Sequence, residues 1–138
     1  MKRIVKFRGK EIESDEWVYG SLTTYPNGRC EIVVFDNGEI LEYEVDADSV
    51  GQFTSVHDKN GKEIYEGDVV EFVDFTYIPF DGIIRVGNVV YSRGAFEIRT
   101  KNGKMTHLLW GAFDDCWNTL EVIDNIHDTP QLLNDGRD

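Results

Sequence analysis

The chain has 138 residues, enough for one ordinary domain that folds without disulfide staples. Its composition, 41% hydrophobic and 29% charged with three Trp, six Tyr and eight Phe, excludes disorder for most of its length. Its formal charge of −12 has the wrong sign for a protein that gains affinity by neutralising nucleic-acid phosphates.

Taken in chain order, strand signals dominate. Residues 2–8 contain Ile4, Val5 and Phe7 and predict a first strand. Lys2, Arg3, Lys6, Arg8 and Lys10 crowd the same segment, and their plain reading is a solvated strand face. Residues 17–25, rich in aromatic and β-branched side chains, predict the next strand. Pro26-Asn27-Gly28 then turns the chain into a strand over residues 30–35. Asn37-Gly38 is a hairpin signal, because both positions of the tight turn need positive φ. Residues 39–45 follow, with Leu41, Tyr43 and Val45 on one face.

The second half repeats this grammar. A strand over 52–56 leads to a turn at Asp58-Lys59-Asn60-Gly61, and residues 62–65 leave it. At Glu66-Gly67-Asp68 the chain bends into a strand over 69–75, with Gly67 allowing the sharp turn and Asp68 accepting from the turn's own backbone. Residues 76–82 read as a loop. Residues 83–91 form a strand with a bulge or kink at Gly87, and 95–100 pair back through Ser92-Arg93-Gly94. Lys101-Asn102-Gly103-Lys104 is a fourth Asn-Gly turn, followed by strands over 105–110 and 119–123. Trp110, Phe113 and Trp117 would also suit one face of a short helix. Thr129 as N-cap and Pro130 at the first helical position predict a short C-terminal helix. Strands this short and regular point to a barrel or sandwich, with a modest boundary near residues 55–62.

Several motifs carry a family likeness. Phe7-Arg8-Gly9, Trp17-Val18-Tyr19-Gly20, the block from Val50 to Val69 and the tail Asn125-Ile126-His127-Asp128-Thr129-Pro130-Gln131-Leu132-Leu133 resemble the YopX family of phages and prophages. The likeness spans nearly the whole chain and is loosest over 71–118. Ser55-Val56 and Asp124 depart from the common pattern at turns and strand ends. The resemblance implies a single YopX-like domain over 1–138, with a β meander in 1–57 and an SH3-like small barrel in 58–138. It implies no activity, so no catalytic residue is carried over.

Chemistry is sparse. His57, His107 and His127 are far apart, and the densest cluster of metal-ligating types, His107 with Asp114-Asp115-Cys116, has no established spacing. Residues 58–63 fail as a calcium loop, because the glycine is fourth rather than sixth. No nucleophile elbow, Walker A motif or dinucleotide loop is present, and no cofactor or metal is expected. Cys30 and Cys116 make no CxxC pair and read as free, buried thiols. Without a secretory signal or a run of ~20 apolar residues, the expected setting is the cytoplasm, off the membrane.

Two aromatic groups remain as interaction candidates: Phe75, Tyr77 and Phe80 around the loop, and Trp110 and Trp117 near residue 113. Their plainer reading is a contribution to the core. The expected role is a non-enzymatic phage accessory protein that binds an unknown host or phage protein or assembles as a homo-oligomer. One alternative is nucleic-acid-related, by the N-terminal basic patch or by acidic mimicry of DNA. The other is a hydrolase using His107 with Asp114 or Asp115.

Overall fold

The computed structural model describes residues 3–74, 82–100, 106–108 and 119–130. The chain divides into two units, Met1–Ser55 and Val56–Asp138, and both are built from antiparallel strands.

In the first unit, turn chemistry sets the register. The strands are β1 (Phe7–Lys10), β2 (Trp17–Thr24), β3 (Cys30–Asp36), β4 (Glu39–Val45) and β5 (Gly51–His57, its last two residues counted in the second unit), in the order β4-β3-β2-β1-β5. Asn37 and Gly38 both take positive φ, 49° and 82°, which is the two-residue turn whose twist matches its flanking strands. Asp36 therefore faces Glu39, and the ladder runs back to Cys30 opposite Val45 without a slip. One face of the sheet carries Phe7, Val18, Leu22, Cys30, Ile32, Val34 and Val45, which pack together as this unit's core. The meander also closes on itself. Glu11 bridges Val45, Ile12 N–H donates to Glu44 C=O at 3.0 Å, and Asp46 N–H donates to Lys10 C=O at 2.9 Å. A 3-10 turn over Ala47–Ser49 follows. The Asp46 carboxylate accepts from Asp48 N–H, and buried Ser49 Oγ accepts from Lys10 N–H at 2.8 Å.

In the second unit, β7 (Asp68–Asp74), β8 (Ile83–Ser92), β9 (Ala95–Thr100) and β10 (Thr106–Leu108) form a meander, and β11 (Glu121–Asn125) lies on the other side of β7. Arg93 and Gly94 form a second turn with two positive φ values. Ile64 of β6 (Glu63–Tyr65), Val70, Phe72, Val89, Ile98 and Leu120 make the core. Two predictions about the bend before β7 hold. Gly67 has φ 96°, and Asp68 Oδ2 accepts from Tyr65 N–H at 2.8 Å inside the protein.

Mostly β structure, read from the hairpins, is what the chain adopts. Some local expectations need correction. The first strand begins at Phe7 rather than at residue 2, because Ile4 and Val5 have strand propensity but stand exposed outside the ladder. Gly87 neither bulges nor kinks β8. It pairs continuously with Val70 and Thr100, and a Cβ there would lie 2.5 Å from Arg99 C=O, so the glycine serves close backbone approach. The register shift lies instead in β11, between Val122 and Asp124. The C-terminal helix expected to start at Pro130 falls on 131–133, outside the described residues, as does the turn at 101–104.

Candidate functional site

The aromatic candidates Phe75, Tyr77, Phe80, Trp110 and Trp117 all lie outside the described residues, as do Asp114, Asp115 and Cys116. His107 belongs to β10, opposite Ile98. Among the described residues no three of His, Cys, Asp and Glu converge on a metal-sized site, and no helix is long and apolar enough to cross a membrane.

The buried carboxylates of the second unit serve the fold. Asp58 accepts from Asn60 N–H at 2.8 Å and Lys62 N–H at 2.9 Å through Oδ1, and from Val122 N–H at 3.0 Å through Oδ2. Burial pushes its carboxyl upward, but these three N–H groups and the Lys62 charge outweigh that effect and hold it below the usual aspartate value. One side chain thus shapes a turn and fastens it to β11. Asp74, 1% exposed, accepts from Arg85 Nε at 3.2 Å.

The first unit carries more unusual surface. Opposite its core face, Arg8 and Lys10 alternate along β1, and Lys6 precedes the strand. They are not a solvated row. Arg8 is only 5% exposed and lies 4.5 Å above the Trp17 ring, Lys10 sits 5.7 Å from the same ring, and Lys6 lies 5.3 Å over Phe53. Strand pairing explains the stacking, since Lys10 faces Trp17 directly and Arg8 faces Tyr19. Alternation along one strand predicts a solvated face, because it does not show which partner strand lies beneath these charges.

A cleft of about 630 Å³ opens where the meander closes, lined by residues 10–12, 15, 27–30 and 44–47. Its cations already face carboxylates. Lys10 lies 3.6 Å from Asp15, and Arg29 lies 3.6 Å from Glu31 while covering the Tyr25 ring at 4.5 Å. Tyr25 donates its hydroxyl to Glu31 at 2.6 Å, and this bond raises the phenol's pKa, because ionisation would set two anions together. The cluster offsets a like-charge pair, since Glu31 stands opposite Glu44 in the ladder.

The remaining feature is the β3–β4 hairpin. Phe35 and Ile40 are direct cross-strand partners on the face away from the core, 70% and 61% exposed. The hairpin that carries them, residues 30–45, contains five acidic side chains and no Lys or Arg. The register set by Asn37-Gly38 could have revealed this apolar pair, because it puts Phe35 and Ile40 out of phase with Leu41, Tyr43 and Val45.

The model of the family described as YopX protein matches residues 6–134. The chain belongs to the YopX family. Two solved structures agree with the fold. The crystal structure of protein EF1440 from Enterococcus faecalis is 22% identical, with a TM-score of 0.54 over 94% of this chain and 98% of that one. Protein yopX from Bacillus subtilis is 20% identical, with a TM-score of 0.57 over 93% and 97%. At such identities the likeness shows the shared fold alone. No curated protein matches the chain.

Proposed function

We propose that this YopX-family chain is a phage or prophage accessory protein of the bacterial cytoplasm that works by binding another macromolecule, either a host or phage protein or a second copy of itself. The observation that carries this reading is the pair Phe35 and Ile40, held side by side by the hairpin register and left open to solvent on an acidic lobe. Isolated exposed apolar residues are ordinary, but two registered partners on one face present a contiguous apolar contact inside a charged rim, the anatomy of a binding patch. A basic protein surface complements it, and that also supports the acidic-mimicry form of a nucleic-acid-related role. Direct nucleic-acid binding through the patch of Lys2, Arg3, Lys6 and Arg8 is the weaker form, because Lys6 stacks on Phe53 and Arg8 on Trp17. For the second unit we propose the SH3-like closure and terminal helix that the family resemblance implies; the β7–β10 meander and the register shift in β11 support the closure.

The test is size-exclusion chromatography with light scattering, together with capture from lysate of the infected host, using wild type and a Phe35→Ser/Ile40→Ser variant. The expected result is an assembly or a retained protein that the double variant loses. A strict monomer that retains nothing, or capture indifferent to the two substitutions, overturns the reading.

A further inference from the structure

Among the described residues the outer edge of β4 is open from Ile40 to Glu42. In the ladder to β3, residues of one parity turn their backbone groups inward and those of the other turn them outward. Glu44 is of the outward set, since its C=O accepts from Ile12 N–H on the side away from β3. Ile40 and Glu42 share its phase, so their N–H and C=O groups also point outward. Among the described residues no strand lies beyond β4, and the only bridge to it is at Val45. An unpaired edge of this kind is a template for an added strand.

The side chains decide what such a strand must be. Ile40, Glu42 and Glu44 stand on one face of β4, with Phe35 behind Ile40. A second copy of β4 pairing there would set glutamates against glutamates, which disfavours self-association at this edge. We infer that the edge of β4 at Ile40–Glu42 receives an extended, basic segment of a partner protein, which pairs as an added strand. The segment places an apolar residue opposite Ile40 and Phe35 and an arginine or lysine opposite Glu42, within diagonal reach of Glu44. The inference rests on the binding reading above and names its partner by chemistry and mode. A polyanion is excluded from this surface by the same carboxylates.

The probe is a cyclic β-hairpin peptide displaying the strand Thr-Arg-Thr-Val-Thr, preorganised so that little ordering entropy opposes binding. Titration into isotope-labelled full-length protein is followed by amide NMR shifts. The expected result is saturable shifts centred on Ile40 and Glu42. Replacing the peptide's arginine by glutamate is expected to weaken binding about tenfold, the worth of one charge-assisted contact. Glu42→Pro removes an outward N–H and a charge while sparing the bonds to β3, and is expected to lose at least as much. Should the proline disturb β4, Glu42→Lys keeps every backbone donor and is expected to reverse the preference between the two peptides. Shifts elsewhere, no saturable binding, or equal affinity for both peptides in wild type and Glu42→Lys overturns the inference. Lysate capture by wild type that Phe35→Ser/Ile40→Ser abolishes, with no peptide binding, sinks strand addition alone. A wild type that retains nothing from lysate and stays a strict monomer sinks the binding reading beneath it.

Discussion

Asp58 shows how one residue ties distant sequence together. Its carboxylate accepts three backbone N–H groups, two from its own turn and one from Val122 across the second unit. Asp58→Ala leaves these donors without their charged acceptor and is expected to cost about 2–4 kcal/mol of stability, read by urea unfolding. The pH dependence follows in sign. The folded carboxyl titrates below its ordinary value, so its contribution is full above the unfolded aspartate pKa and disappears as pH falls through the lower, folded pKa. Asp58→Asn is therefore expected to flatten the acid limb of a stability–pH profile while leaving its slope near neutrality unchanged. Gly87 makes a second residue-scale case. A methyl group there meets Arg99 C=O at 2.5 Å and Ile98 Cγ2 at 2.8 Å, and the nearer contact is backbone that cannot swing aside. Gly87→Ala is expected to lower stability by about 1–3 kcal/mol, seen as a drop in Tm. The glycine's presence was legible in the sequence, but its reason was not, because close approach and bulging leave the same mark on one strand.

At the scale of elements, legibility followed turn chemistry. The β3–β4 hairpin was readable to the residue, since Asn37-Gly38 admits one tight geometry and alternation does the rest. The bend at Gly67-Asp68 was readable for the same reason. β1 was not, because strand propensity in residues 4–5 says nothing about whether a partner strand reaches them. The stacked cations were missed on similar grounds, since Arg8 is buried by what lies opposite it, on β2, in another part of the sequence. Of the candidate site, the acidity was visible but the exposed Phe35–Ile40 pair required the register. The 3-10 turn at Ala47–Ser49 also escaped notice, although Asp46 is a good capping residue. That turn has a measurable task. Ser49 Oγ accepts from Lys10 N–H and donates to Asp46 C=O at 2.6 Å, joining the end of β1 to the chain that closes the meander. Ser49→Ala leaves the Lys10 donor unmet in a half-buried place and is expected to cost about 1–3 kcal/mol. Hydrogen exchange is expected to quicken at Lys10, Ile12 and Asp46 while the β2–β3 amides keep their protection.

At the scale of the molecule, the charge of −12 is distributed unevenly, and its consequences separate folding from binding. Self-repulsion among 26 acids opposes compaction, and the five acids of residues 30–45, with no Lys or Arg among them, concentrate part of that repulsion on the β3–β4 hairpin. Added salt screens exposed charges beyond the Debye length of about 10 Å at 0.1 M, while Asp58 and Asp74, held by short hydrogen bonds inside the protein, are shielded from it. The protein is therefore expected to gain stability as sodium chloride rises from low to moderate concentration, with Tm increasing in scanning calorimetry. Binding of a basic partner at the same lobe must move the other way, since salt weakens the attraction that recruits it. Neutralising the lobe separates the two effects. A variant with Glu39, Glu42 and Glu44 changed to Gln is expected to melt higher than wild type at low salt, to show a smaller rise of Tm with salt, and to lose affinity for a basic strand. Equal salt dependence of Tm in variant and wild type would show that the repulsion lies elsewhere. The acids of this hairpin would then be held against no folding cost, and the case for their retention as a binding rim would lose its energetic support.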